Sequence, residues 1–369
     1  MPQGPAPARI AASGCLTAFG DERASLAALL RGESALKPVP YLGREGGDLV
    51  PLALLNDRAL DEEVEPVWLP ALRQMLAPVQ DRKWGTPRRP VFVTSSNFGV
   101  GGLYAFRRSG EERFNTWGST PNCVEWLREK MNWGRNVMVF SHACVSAHIG
   151  LLQASRAIEA GHVDEALVFS FDMLSPFVAG GFHALKILNS DMPAPYMDRP
   201  TSAIALGDGA AWAVVSRDSA EFQLEAQALH NEMFHFTANA PDGSGFRALL
   251  AQLTPKLAGR RLWLKGHGTG TLEAGKLEST ALAEAFPAAP LVGWKGALGH
   301  TLGSCGLVEM CIAMEALRTG RTPGTIGTTS PTFSTEVATA AFDNRAYDGV
   351  LCLSNAFGGA HAAFLLSHA

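Results

Sequence analysis

The 369-residue chain is 47% hydrophobic and 18% charged, a balance that excludes a disordered or fibrous protein and suffices for one large domain or two fused halves. Its net charge of -4 supplies no basic stripe to neutralise phosphates, so neither a nucleic acid nor an anionic membrane is an expected partner. Short basic clusters at Arg82, Lys83, Arg88 and Arg89, and at Arg107 and Arg108, read either as solvated surface or as a dock for an acidic protein.

The opening segment, MPQGPAPARIAASG, has no cationic start followed by an apolar stretch. No run reaches the roughly 18 apolar residues that span a bilayer, so a cytoplasmic location is expected. Cys15, Cys123, Cys144, Cys305, Cys311 and Cys352 are scattered without a CxxC pair, which points to reduced thiols.

Along the chain, residues 90–94 (PVFVT) read as a buried strand, and the apolar run 137–140 leads into a turn carrying Cys144. Residues 146–160 repeat apolar side chains at helical spacing, through Leu151, Ala154 and Ile158, and stop at Gly161. Further strands are expected at 166–171, 210–215, 261–265 and 349–354, with loops at 193–200 and 239–244. The stretch 302–317 is apolar on nearly every face, as a helix buried between layers must be. Strands alternating with helices imply an α/β architecture, and a wholly buried helix implies more than one stacked sheet. No low-complexity linker divides the chain, so two intimately packed halves are expected, 1–217 and 218–369, meeting near Arg217 to Phe222.

Three glycine- or alanine-rich runs carry the chemistry: SHACVSA around Cys144, KGHGTGT around His267 and WKGALGHTLG around His300. Small residues let backbone and substrate approach closely, and a thiol with two imidazoles suits thioester chemistry. A cysteine just before a helix faces free N–H groups and the positive end of the dipole, which favours thiolate; the alternative is an inert core cysteine. His142, Cys144 and His148 form an HxCxxxH pattern, but no second ligand pair of the usual spacing follows, and no metal is expected. The His267 loop offers the hydroxyls of Thr269 and Thr271 to a long polar arm, and it lacks the GxxxxGK[ST] and GxGxxG spacings of a phosphate cradle. His300 stands at the mouth of the buried helix, where dipole and nearby Lys295 favour a neutral imidazole. Buried Glu309 needs a cation, and Lys295 is the simplest choice, either as a structural ion pair or as part of the catalytic group.

In this order the three runs give the chain a resemblance to the β-ketoacyl-acyl carrier protein synthases, the Cys-His-His type of the condensing-enzyme (thiolase-like) superfamily. It extends over nearly the whole length, through SGCLTAFG from Ser13, TSSNFGVGG from Thr94, ALGDGAAWAV from Ala205, GALGHTLG from Gly296 and SNAFGGAH near the C-terminus. The resemblance implies a thiolase-like αβαβα five-layer sandwich of two similar halves, a homodimer or a heterodimer with a related ketosynthase-like subunit, and no cofactor, substrates arriving on the phosphopantetheine of acyl carrier protein. It implies a decarboxylative condensation in type II polyketide, polyene or fatty-acid synthesis. Cys144 would take the acyl chain and His267 and His300 would stabilise the malonyl enolate. Lys295 and Glu309 would hold the histidines, Thr269 and Thr271 would bind pantetheine, and the N–H groups of Cys144 and of Phe357, at the gate, would meet the oxyanion.

The sequence departs from the family at Ala147, at His148, which would narrow the acyl entrance, and at Gly275. The chain is also short for it, with segments missing before Cys144 and after Arg217. Two alternatives stand beside the ketosynthase. One is a non-catalytic, chain-length-factor-like partner, which has no chemical need for all three of Cys144, His267 and His300. The other is a thiolase acting on CoA esters, for which Cys352 would be the second cysteine.

Overall fold

The computed structural model describes residues 8–334 and 336–369; the first seven residues of the segment examined for a leader lie outside the described residues. Ten strands form the main sheet: β1 (Arg9–Leu16), β2 (Val91–Thr94), β3 (Val137–Phe140), β4 (Glu165–Asp172), β5 (Gly209–Ser216), β6 (Phe222–Asn231), β7 (Leu262–Lys265), β8 (Leu291–Val292), β9 (Gly349–Ala356) and β10 (Ala360–His368). Their spatial order is β8-β7-β9-β10-β6-β1-β5-β4-β2-β3. The five strands from β1 to β5 repeat in those from β6 to β10: two parallel pairings at the outer edge, then two antiparallel ones. The two sets join where β1 meets β6 through Arg9↔Gln223 and Ile10↔Phe222, so the stacked sheets share one hydrogen-bonded ladder.

Side chains alternate between faces of the strands, and the layers follow from that period. Phe92, Val168, Ala213, Val350, Cys352 and Phe364 point inward onto two central helices, α3 (Ser146–Glu159) and α6 (Cys305–Thr319). Val93, Phe169 and Trp212 point outward under α1 (Val64–Leu76) and α2 (Thr120–Lys130). Leu264, Leu351 and Leu365 pack under α4 (Ser244–Leu257) and α5 (Leu272–Ala285). The result is the expected five-layer α/β/α/β/α sandwich. Helix α6 is buried from Cys305 to Leu317, which explains a sequence apolar on nearly every face. Its expected first residues, Leu302 to Ser304, form a separate 3-10 turn, so the α-helix starts later than the apolar pattern suggested. Among the described residues no helix is long and apolar enough to cross a membrane.

The basic clusters are largely spoken for: Arg82 and Arg89 pair with Glu165, Arg88 with Asp164 and Arg108 with Glu45. All six cysteines are unpaired and buried.

Deep in the first half, Arg58 forms a bidentate pair with Asp208 at 2.8 and 2.9 Å, with side chains 3% and 1% exposed. Asp208 also accepts the N–H groups of Leu55 and Leu174, and Arg58 donates to the carbonyls of Leu60 and Leu174. This network fixes the strand start that touches the His300 turn. Removing one partner strands a buried charge, so Asp208→Ala should cost about 3–5 kcal/mol in equilibrium urea unfolding. Adding Arg58→Met to that variant should recover much of the loss, and an unchanged midpoint for the single variant would show that the pair is dispensable.

Candidate active site

Cys144 lies in a strained turn between β3 and α3. The preceding residue, Ala143, has φ of 44°, a left-handed conformation that costs a residue with a Cβ about 1–2 kcal/mol. Ser146 holds it there: its hydroxyl donates to the Ala143 carbonyl at 2.7 Å and accepts the His142 N–H at 2.8 Å. Cys144, 9% exposed, thereby lines a cavity of about 360 Å³.

His300 is placed by backbone pairing with the strand start in the first half. Its N–H donates to the Ala205 carbonyl at 2.8 Å, and its own carbonyl accepts the Gly207 N–H at 3.1 Å. The approach needs Gly207, since a Cβ there would lie 2.2 Å from the Leu298 carbonyl oxygen. The turn into α6 then passes through Leu302 at φ 53°.

His267 follows β7. Glu278 on α5 accepts the N–H groups of His267 and Gly268 at 2.5 and 3.1 Å and the Tyr196 hydroxyl at 2.9 Å. Glu278 is a position at which the family resemblance is retained, whereas Tyr196 sits in a proline-flanked loop with no periodic signal.

These elements bring the three side chains together. Nε2 of His300 stands 3.0 Å from Sγ of Cys144, and the His267 ring meets the His300 ring edge-on with centroids 4.9 Å apart. Burial, reinforced by Lys295 and Lys265, holds both imidazoles well below the usual histidine range, so they are neutral at physiological pH. The expected thiolate is not found: burial, with Cys305 nearby, pushes the Cys144 thiol upward and Lys295 opposes it only in part. Desolvation of a lone anion here outweighs the help of the backbone N–H and of Lys295. A protonated thiol facing a neutral imidazole is the resting arrangement, ready for proton transfer on attack.

Lys295 does contact Glu309, at 2.9 and 3.0 Å, but their hydrogen bonds do not reach the histidines, and Nδ1 of His267 and of His300 have no partner among the described residues. The expectation that this pair holds the imidazoles is corrected: it acts on them through its field. A second cation, Lys265, shares the same carboxylate and was read only as a strand end. The donor atoms of Cys144, His267 and His300 lie within 4.8 Å of one another. A dication there would meet two nearby ammoniums and a protonated thiol, so the cluster is poorly suited to a metal.

Thr269 and Thr271, 3.1 Å apart at their hydroxyls, line one side of the cavity. Phe357 stacks on Phe182 at 5.9 Å across from them. Asn355 is braced by a reciprocal pair with Asn239 at 3.0 and 3.2 Å, and both face the cavity. His148 does not narrow the entrance. It points away, against Phe364 and the small Gly306 of α6, while Ala147 is fully buried. His142 is exposed, so the HxCxxxH pattern does not close on one point. Cys352 lies inside β9 opposite Lys265, off the cavity, where burial pushes its thiol up to about 12. Cys305 is the thiol beside Cys144, donating to its carbonyl at 3.4 Å.

Known proteins share both the sequence and the fold. Residues 130–221 match the family description "Beta-ketoacyl synthase, N-terminal domain" and residues 223–329 match "Beta-ketoacyl synthase, C-terminal domain", together more than half of the chain. The chain is 25% identical to 3-oxoacyl-[acyl-carrier-protein] synthase 2 of Coxiella burnetii over 63% of its length and 62% of that protein. It is 27% identical to the tetracenomycin polyketide synthase ketoacyl synthase alpha subunit of Streptomyces glaucescens over 70% of its length and 66% of that protein. The matches thus span a little under two thirds of these relatives. Among solved structures, a chain of the ketosynthase and chain length factor complex from Xenorhabdus doucetiae superposes with a TM-score of 0.83 at 21% identity, covering 99% of this chain and 98% of that one. A β-ketoacyl synthase from Burkholderia phymatum gives 0.82 at 19% identity, covering 99% and 100%.

Buried neutral histidines also govern acid stability. His148 is held down to about 3 by desolvation, first, and by Lys265 and Lys295. As pH falls through 6.5 the unfolded chain takes up a proton that the folded protein refuses until about 3, so the stabilisation is complete above 6.5 and lost between 6.5 and 3. His148→Leu should therefore remove an acid-dependent loss of unfolding free energy on the order of a few kcal/mol across that window, seen as a flatter fall of Tm with acid. Parallel Tm profiles for the two proteins would disprove the assignment.

Proposed function

The chain belongs to the β-ketoacyl synthase family, and from that premise we propose that it is a ketosynthase joining an acyl thioester to malonyl-acyl carrier protein by decarboxylative Claisen condensation. The observation that carries this reading is the 3.0 Å approach of the His300 Nε2 to the Cys144 Sγ beside a second neutral imidazole, at the floor of a cavity lined by hydroxyls and aromatic rings.

In the first half-reaction the Cys144 sulfur attacks the acyl carbonyl as its proton passes to His300. The C–S bond of the incoming thioester breaks, and the departing pantetheine thiolate takes that proton, leaving acyl-Cys144 and a neutral site. In the second, the bond between the malonyl carboxylate and its methylene breaks, CO2 leaves, and the electron pair forms an enolate. Neutral His267 donates a hydrogen bond to its oxygen, and His300 adds a second once its single proton has moved to Nε2, the nitrogen that faces the sulfur. The enolate carbon attacks acyl-Cys144, whose oxyanion is met by the N–H groups of Cys144 and Phe357, and the sulfur leaves as a thiolate that takes a proton from solvent water, its first proton having gone with the pantetheine thiol. Thr269 and Thr271, which line the same cavity as Cys144, would hold the pantetheine arm by their hydroxyls. Burial of the thiol suits this scheme, because only the acylated, uncharged form persists between half-reactions.

Acyl carrier protein is the proposed carrier of both substrates, and the proposed assembly is a dimer with a second copy or a related ketosynthase-like subunit, in polyketide, polyene or fatty-acid synthesis. The relatives' names support these classes, as does the neighbouring complex of a ketosynthase with its chain length factor. A non-catalytic subunit has no need of a thiol within hydrogen-bond reach of an imidazole, which favours the catalytic reading over a chain-length-factor-like one.

Incubation with acyl-carrier thioesters followed by intact-mass analysis should show one acyl adduct that Cys144→Ala abolishes. An adduct of equal extent on that variant would remove the nucleophile assignment. His267→Ala should still acylate Cys144 yet lose CO2 release from malonyl thioester by about 10²-fold or more, whereas His300→Ala should slow both steps. Normal CO2 release from His267→Ala would withdraw its enolate role.

A further inference from the structure

We infer that Asn355 is a substrate-binding residue that donates a side-chain N–H to the innermost amide carbonyl of the carrier arm, with Glu232 as the positioning residue that sets its polarity; the inference rests on the condensation reading above. Asn355 and Asn239 line the cavity together with Cys144, Thr269 and Thr271. Asn355 is 8% exposed and stands next to Ala356, which packs in one buried cluster with Cys144. In a pantetheine arm the innermost amide lies two methylenes from the sulfur. When that sulfur reaches Cys144, the amide carbonyl therefore falls among the cavity residues nearest the thiol.

The oxygen and nitrogen of a primary amide have nearly the same size, so a reciprocal pair of amides could face either way. Here a backbone donor decides. The Ala240 N–H, which can only donate, meets Oε1 of Glu232 at 3.1 Å, and Asn239 presents its Nδ2 to that same oxygen, also at 3.1 Å. The other Nδ2 hydrogen of Asn239 goes to Oδ1 of Asn355 at 3.2 Å, so Oδ1 of Asn239 is left to accept from Nδ2 of Asn355 at 3.0 Å. Both N–H groups of Asn239 are thereby used. Asn355 keeps a second N–H with no acceptor among the described residues. A donor with so little access to solvent is costly to leave unpaired, and a neutral carbonyl entering the cavity relieves that cost. Glu232 itself is boxed in, its side chain 5% exposed. Its N–H donates to the Gly359 carbonyl at 2.9 Å, and Gly245 of α4 closes over it, since a Cβ there would collide with Oε2 of Glu232 and with Nε2 of buried His361. An amide pair serving only to tie residues 239 and 240 to β9 would be indifferent to whether a ligand carries a carbonyl.

The test titrates unreactive probes calorimetrically into the intact protein: S-methylpantetheine, an analogue with a trans-alkene in place of its innermost amide, and one with an ester there, which keeps the carbonyl and loses the N–H. The unsubstituted protein should bind the amide and ester probes alike, within about twofold, and the alkene about tenfold more weakly. Asn355→Leu should weaken the amide probe about tenfold while leaving the alkene within about twofold, a coupling between one side chain and one ligand group. Glu232→Met should reproduce that coupling. Glu232→Gln, which keeps an oxygen facing Ala240 and Asn239, should bind the amide probe within about twofold of the unsubstituted protein. Equal effects of Asn355→Leu on amide and alkene overturn the inference, and a loss in Glu232→Gln as large as in Glu232→Met removes the positioning role of Glu232. An ester that binds the unsubstituted protein as weakly as the alkene also overturns it, a result that needs no variant to fold. Because the probes do not react, a protein that shows the coupling yet gains no acyl adduct on Cys144 refutes the condensation reading alone.

Discussion

Backbone meets backbone where residues 205–207 run beside the turn at Gly299 and His300, and the site exists because of that contact. The pairing of His300 with Ala205 and Gly207 joins segments nearly a hundred residues apart, one from each repeat of the sheet. It leaves no room for a side chain at Gly207, and it sets the imidazole over the sulfur that α3 presents from the first half. The Arg58–Asp208 network clamps the same strand from behind, so a change far from the cavity can move His300. Close backbone approach thus does here what a hydrogen bond to an imidazole nitrogen often does elsewhere, since Nδ1 of His300 has no such partner among the described residues.

Burial decides the protonation of everything in the cavity. Desolvation alone favours neutral imidazole and neutral thiol, and the lysines reinforce the first while opposing the second. A thiol at a helix start would ordinarily ionise more readily, but Cys144 precedes α3 in a pocket with little solvent, and the loss of hydration wins. A thiolate–imidazolium pair would place a cation next to two ammoniums. A thiol and a neutral imidazole avoid that, and charge appears only when a substrate brings it.

The layered fold was legible because short continuous apolar strands and an all-apolar helix leave a plain signature: residues 210–215 and 302–317 each declare their surroundings without help from the rest of the chain. Cys144, His267 and His300 were legible for a different reason, each lying in a run of small residues whose only use is close approach. What escaped depends on distance in sequence. Tyr196 and Glu278 meet across eighty residues, and Lys265 looks like the polar end of an ordinary strand until Glu309 and Lys295 arrive beside it. The start of α6 was misplaced because apolar residues fill a 3-10 turn as readily as an α-helix. His148 pointed inward rather than across the entrance because Gly306, on a helix far along the chain, leaves a hollow that an imidazole fills.

Two residues with side chains, Ala143 and Leu302, adopt left-handed backbone next to the two groups that meet at the sulfur. Such conformations persist only where surrounding structure over-determines them. At Ala143 the restraint is the Ser146 hydroxyl, bonded to both sides of the turn. At Leu302 it is a buried apolar side chain wedged among Leu52, Leu174 and Ile204, followed by the Ser304 N–H on Asp172. Asp172 also ties the 95–97 loop to the same point, so one carboxylate couples the first repeat to the start of α6. Relaxing either turn would let sulfur or imidazole swing away from the other. The strain is therefore the local cost of holding a sulfur and an imidazole at a fixed separation when, among the described residues, nothing bonds the far nitrogen of that imidazole.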